Sequence, residues 1–398
     1  MEILKGKIDC APEETGYDSS RLNALHNHFE RLINKKMILG ATYTIRHKGK
    51  IIANASLGNA SRGNNFKQML PNTVFNVASI TKTFTTVAIL QLIEDGYLRL
   101  DSHVAEFLPQ FEKEPFNKIQ IIHLLTHTSG LWPDGGCLQG EKYEDAFDLI
   151  HNALKNWDGN GEIDWITPSL AEGVKCEPGK EWMYTSIGIV YLGEIIKKIT
   201  GVFGNTYLEE KIFKPLQMKD SAFDPISLDD IAKRIFIFDP GMEQMVEALA
   251  SGKDIPQKES KWKKAQIPST GGGFWSTTND LTNFGQMLLN FGRFDGERIL
   301  GRKIIEKATT STLKNIPNKC WGANEADRGY GIGFDMRFGP AFTYSDGTYM
   351  HEGSGTCSID IDPKENLIAA WFVPWTDPNF WSPEPLFNVQ NIIWSGLI

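Results

Sequence analysis

The stretch Asn76-Val77-Ala78-Ser79-Ile80-Thr81-Lys82-Thr83-Phe84-Thr85-Thr86-Val87-Ala88-Ile89-Leu90-Gln91-Leu92-Ile93-Glu94 decides how the rest of the chain is read. From Phe84 to Ile93 it is apolar on nearly every face, the pattern of a helix packed on all sides. Asp95-Gly96 ends it, with Gly96 suited to the left-handed position after a helix. Ser79 then falls at or near the first turn. Lys82, three residues on, shares its helix face, with Cβ atoms roughly 5–6 Å apart. A serine hydroxyl is a poor nucleophile until a base removes its proton. A lysine serves as that base once burial and neighbouring positive charge favour its neutral form. The helix start adds a backbone N–H and the positive end of a dipole, both suited to an oxyanion. Matches to S-x-x-K also arise by chance at solvated helix starts, so other stretches have to carry the reading further.

The chain has 398 residues and a formal charge of −8, with 41% of its residues apolar. That length suits two domains and a sizeable core. The negative balance argues against a nucleic-acid partner, which needs clustered Lys and Arg. Met1 to Lys7 has no apolar core of signal-peptide length, and no stretch reaches the ~20 apolar residues of a membrane span. The expectation is a cytoplasmic protein. The five cysteines (Cys10, Cys137, Cys176, Cys320 and Cys357) are odd in number and far apart. They suggest reduced structural thiols rather than a disulfide framework or a zinc site.

Ser19 to Leu32 has helical spacing. Ala41–Arg46 and Ile51–Ala55 read as two strands joined at Lys48-Gly49-Lys50. Ile121 to Thr126 reads as a short helix ending in His127-Thr128-Ser129-Gly130. His127 invites a triad reading, but a histidine there more often holds backbone groups. Trp132 and Trp157 could wall a cleft or simply fill core. Ile187 to Thr200 is a helix closed by Gly201, with Ser186 fitted to its N-cap and Tyr184 just outside. Residues 222 to 266 are mixed and polar, with a solvated Lys258 to Lys264. Gly271-Gly272-Gly273 lacks a P-loop ending and reads as a tight loop packed on another segment, before a helix from Asn279 to Leu289. Gly329 to Phe334 alternates small and large like a strand with a close neighbour. Strands follow at Thr348–Ser354, Cys357–Asp362 and Leu367–Val373, then a closing helix from Pro385 to Leu397. Strands at both ends with helices between them imply one sheet built from both termini and interrupted by a helical insertion.

Three stations therefore stand in order: Ser79-Ile80-Thr81-Lys82, Tyr184-Thr185-Ser186 and His351-Glu352-Gly353. This set resembles the serine β-lactamase and penicillin-binding protein superfamily. The tyrosine of the middle station makes it more similar to the branch of class C β-lactamases, DD-peptidases, D-aminopeptidases and esterases. Leu124 to Leu131, Pro178-Gly179, and Gly271-Gly272-Gly273 with Ser276, Thr277 and Asp280 extend the likeness over most of the chain. The resemblance implies an α/β (α+β) fold of the β-lactamase/transpeptidase type. Its antiparallel sheet domain would comprise residues 1–72 and 326–398, with a mainly helical domain at residues 73–325.

The same resemblance implies that Ser79 is the nucleophile, with Lys82 and Tyr184 sharing base and acid duties. The backbone N–H groups of Ser79 and Ser354 would form the oxyanion hole. Ser186 stands where the family often has Asn, and His351 stands where lactamases have Lys. Gly353 keeps the site strand open to the substrate. Glu352 replaces the usual Thr or Ser; facing the site it would repel an anionic substrate, and facing away it would not. The implied activity is ester or amide hydrolysis through an acyl-enzyme. Carboxylesterase or D-amino-acid peptidase is favoured over DD-carboxypeptidase or β-lactamase. A catalytically silent binding module of the same fold is the alternative outside enzymes. The substrate would be a small molecule or peptide-like. No metal or organic cofactor is implied, and the oligomeric state is left open.

Overall fold

The computed structural model describes residues 1–251, 260–321, 328–337, 342–354, 356–377 and 383–398. Among the described residues, eight antiparallel strands form the main sheet. In chain order they are β1 (Leu4–Lys5), β2 (Gly40–His47), β3 (Lys50–Gly58), β4 (Arg328–Tyr330), β5 (Asp335–Arg337), β6 (Tyr349–Gly353), β7 (Cys357–Asp362) and β8 (Leu367–Phe372). Their spatial order is β1-β3-β2-β8-β7-β6-β5-β4, so strands from the two ends of the sequence meet at the β2–β8 pair. Gly329 to Phe334 is a strand only as far as Tyr330. Gly331 then turns, its N–H donating to Phe334 O at 2.8 Å. The small residues expected of a close neighbour are needed there, since a Cβ on Gly333, at φ +75°, would strike the Thr86 side chain.

Alternation along the strands sorts the core onto two sides of the sheet. Tyr43, Ile45, Leu367, Ala369 and Trp371 meet helix α1 (Ser20–Asn34) and the closing helix Pro383–Trp394 through Phe29, Leu32, Val389 and Ile393. On the opposite face Ile359, Ile361, Ile368, Ala370 and Phe372 join the larger core of the helical segment. Helix α2 (Thr81–Glu94) runs through that core, buried from Thr81 to Leu90 on every side. Phe84 stacks on Phe284 at 3.9 Å and meets Phe274 edge-on at 4.7 Å. Truncating Phe84 to alanine would cost about 3–5 kcal/mol. Gly96 takes φ +78° just after the helix, as its position requires.

Helix α3 (Ser186–Thr200) starts one residue earlier than an N-cap at Ser186 would give: Thr185 is the N-cap, and Ser186 is already helical. A helix at Pro240–Ala250 lies inside the stretch that reads as mixed and polar. Of the lysine-rich piece, Lys261–Lys264 forms a short helix, and Lys258 lies outside the described residues. Helix α4 (Thr278–Leu289) packs on β8 closely enough that a Cβ on Gly285 would lie 2.8 Å from Ile368. No helix among the described residues is long and apolar enough to cross a membrane.

Candidate active site

Ser79 lies in a 3-10 turn, Ala78–Ile80, that runs into α2. Ala78 before it takes φ +45°, a conformation that costs an L-residue roughly 1–2 kcal/mol. The turn is pinned from both ends to hold that shape. The Ala78 N–H donates to Asn76 Oδ1 at 2.8 Å, and the Thr81 hydroxyl donates to Ala78 O at 2.6 Å. The result is a half-buried Ser79 at the mouth of a buried helix.

One turn on, Lys82 Nζ lies 2.9 Å from Ser79 Oγ and donates to Gly271 O at 2.7 Å. Its side chain is 1% exposed, and the ammonium sits 4.9 Å from the centroid of the Tyr184 ring. Burial pushes the Lys82 pKa down to about 8, against the opposing pull of Asp134 and Cys137. A substantial neutral fraction near neutral pH is what a general base needs.

Gly271 joins the first two stations. A Cβ there would lie 3.1 Å from Ser186 O, and the neighbouring Gly272 packs on Ala78. Thr85 reinforces the loop by donating to Thr270 O at 2.8 Å. The glycine run is therefore a close-packed wedge between α2 and α3.

The second station is held by residues distant in sequence. His127, at φ +55°, accepts the Thr185 N–H on Nδ1 at 3.2 Å, and its carbonyl accepts the Met183 N–H at 2.8 Å. Its ring lies 4.5 Å from that of Tyr184. His127 thus holds backbone beside Tyr184 rather than standing as a triad member against Ser79. Cys320 Sγ accepts the Tyr184 N–H at 3.2 Å. Trp321, 47% exposed, leans over Tyr184 at 5.4 Å between ring centroids. Trp132 is half-buried and stacks on Tyr143 at 5.0 Å.

Sequence reasoning missed Asp134. Its Oδ1 accepts the Ser186 N–H and its Oδ2 accepts the Ser186 hydroxyl, each at 2.5 Å. Burial raises the Asp134 pKa, while Lys82 and the two Ser186 donors favour the anion. Only Pro133-Asp134-Gly135, a turn signal beside Trp132, marked it in the sequence.

The third station splits. His351 is buried and its ring lies 6.4 Å from Tyr184, on the site side of β6. Gly353 abuts Val77 O and Cys357 Sγ so closely that any Cβ would clash, which seats the end of β6 against the Ser79 turn. Ser354 follows, exposed and at φ +46°. Glu352 faces the other way. It shares its face of the sheet with Met350 and Asp360, under the closing helix, where Gln390 Nε2 donates to Asp360 at 2.7 Å. The negative charge of Glu352 is one of the causes that raise the Asp360 pKa. Of the two directions that the sequence left open to Glu352, strand alternation gives the one away from Ser79. Among the described residues no group of three His, Cys, Asp or Glu side chains could hold a metal ion.

The beta-lactamase family model matches residues 25–383. A putative D-alanyl-D-alanine carboxypeptidase of Escherichia coli K12 is 23% identical over 90% of this chain and 83% of its own length. Esterase EstB of Burkholderia gladioli is 27% identical over 66% of this chain and 68% of its own. The crystal structure of a family VIII carboxylesterase superposes over the whole of both chains with a TM-score of 0.72 at 19% identity.

Proposed function

Because the chain belongs to the beta-lactamase family, we propose that it is a serine hydrolase that cleaves an ester or amide through an acyl-enzyme on Ser79. The observation that carries this reading is the 2.9 Å contact between Ser79 Oγ and a buried Lys82 Nζ. Neutral Lys82 takes the hydroxyl proton as Ser79 Oγ bonds to the carbonyl carbon. The Ser79 and Ser354 N–H groups bind the resulting oxyanion. The tetrahedral intermediate collapses, and the alcohol or amine leaves with a proton relayed by Lys82 and Tyr184. Water, deprotonated by the same pair, then attacks the acyl ester and frees the acid and Ser79.

Carboxylesterase or amino-acid amidase/peptidase activity is favoured over β-lactamase. The reason is His351 in place of a lysine on the site side of β6, which takes the ammonium of a lysine away from an anionic substrate. Hydrolysis of p-nitrophenyl esters and of nitrocefin tests both parts. The expectation is ester turnover that falls by about 10³-fold or more in Ser79→Ala, with slow nitrocefin turnover in the parent protein. Ester hydrolysis at the parent rate in Ser79→Ala removes the proposal, and efficient nitrocefin turnover reverses the ranking.

A further inference from the structure

At the start of α3, Ser186 and Asp134 present hydrogen-bond acceptors, because both Ser186 protons are already directed at the carboxylate. We infer that the substrate meets them with a donor, a free protonated amine close to the scissile carbonyl, recognised by Asp134 together with Ser186. This deepens the Ser79 hydrolase reading and rests on it.

The protons at this face can be counted. Ser186 has one hydroxyl proton and one amide proton. Both are directed at Asp134, to Oδ2 and Oδ1, at 2.5 Å each. With its proton committed, the Ser186 oxygen offers only lone pairs. An ionised Asp134 likewise offers only lone pairs, and each oxygen retains accepting capacity beyond its bond to Ser186. Burial raises the Asp134 pKa, and the positive end of the fifteen-residue α3, the Ser186 donors and Lys82 oppose that rise.

The pair is close to the chemistry. Ser186 O abuts Gly271, whose carbonyl holds Lys82. Asp134 and Ser186 are both only partly buried as residues. The carboxylate is also firmly mounted. The Asp134 N–H donates to Tyr184 O at 2.9 Å, and its carbonyl accepts from the Tyr143 hydroxyl at 2.8 Å and the Cys137 N–H at 3.1 Å. A second carboxylate, Asp145, accepts the Gly135 N–H at 2.5 Å and adds negative charge nearby.

A substrate whose amine is acylated keeps one N–H donor but loses the charge and two donors, and adds a carbonyl oxygen beside this face. Acceptor would meet acceptor, and burying unpaired acceptors is costly. An ammonium brings three donors and the opposite charge. The acidic determinant of the site is therefore Asp134, while Glu352 lies behind the sheet.

The test compares inhibition of p-nitrophenyl acetate hydrolysis by D- and L-alanine methyl esters with inhibition by their N-acetyl derivatives, in the parent and in Asp134→Asn. The inference predicts that at least one free-amine ester competes about tenfold or more better than its N-acetyl form in the parent. It also predicts that the ratio falls to within about threefold of unity in Asp134→Asn. An active parent without that preference overturns the inference alone. An unchanged ratio in Asp134→Asn removes Asp134 from it, and the parent ratio still decides if that variant does not fold. A parent inert towards p-nitrophenyl acetate overturns the hydrolase reading and this inference with it.

Discussion

The helix starts at Ser79 and at Ser186 meet across Gly271, yet they are held by different means. At the first, nucleophile and amine belong to one helical turn, and a spacing of three residues places Nζ 2.9 Å from Oγ. At the second, the Ser186 hydroxyl is bound by a carboxylate 52 residues away in the chain. The peptide before it is held by His127 and Cys320, from two further segments. One helix start inherits its geometry from the helix itself. The other exists only when separate loops have packed. The first should therefore fail through its chemistry when altered, and the second through its positioning.

The largest effects belong to the Ser79 turn. Ser79→Ala should lower kcat/KM for p-nitrophenyl esters by about 10⁴-fold with an unchanged melting curve, and Lys82→Ala by about 10²- to 10⁴-fold in a protein that still folds. A Lys82→Ala protein of near-parent rate would break the comparison at its stronger side. The pH profile sharpens it: because the base works unprotonated, the rate should rise with pH and level off above about 8, following Lys82. A rate already maximal at pH 6 would contradict a neutral-lysine base.

At the start of α3, His127→Ala should act more moderately. It strips the Thr185 N–H of its acceptor, which costs about 1–3 kcal/mol in urea unfolding and roughly tenfold in kcat as Tyr184 drifts. Ser79 should still label with a fluorophosphonate, since its own turn is intact. Loss of labelling in a folded His127→Ala would mean that the two helix starts are not independent.

The smallest effects are expected behind β6. Glu352→Gln should leave ester kcat/KM within about twofold of the parent, because its side chain lies on the far face; a larger change would return Glu352 to the site. Nearby Asp360 has its pKa raised by burial to about 7. The folded chain therefore binds a proton that the unfolded chain releases near pH 4. The associated stability is present below about pH 4 and is lost as pH rises through 7. Urea unfolding at several pH values should show that loss reduced in Asp360→Asn, by roughly 1–3 kcal/mol. Parallel curves for the two proteins would refute it.

These contrasts follow how far each feature depends on local pattern. The buried α2, the β2–β3 hairpin and the strands Cys357–Asp362 and Leu367–Phe372 were legible because periodicity and turn residues act over a few positions. Ser79 and Lys82 were legible for the same reason. The placement of Tyr184 near a helix start could be read, and the family resemblance put His351 in the same site, but the neighbouring Trp321 could not be read, since aromatic packing across loops leaves no spacing signal. Asp134 was invisible beyond a turn signal because its partner is fixed only by tertiary packing. Glu352 shows the reverse limit: strand alternation allowed two directions, and only the registry of β6 beside β7 selects one.

The central claim is that the Ser79 hydroxyl is activated by Lys82 for covalent chemistry. Peptide mapping by mass spectrometry after brief exposure to a fluorophosphonate probe, on the parent and on Lys82→Ala, tests it most directly. The account predicts a stoichiometric label on Ser79 in the parent and labelling slowed by about 100-fold or more in Lys82→Ala. A label on another residue, or equal labelling of Ser79 in both proteins, would contradict it.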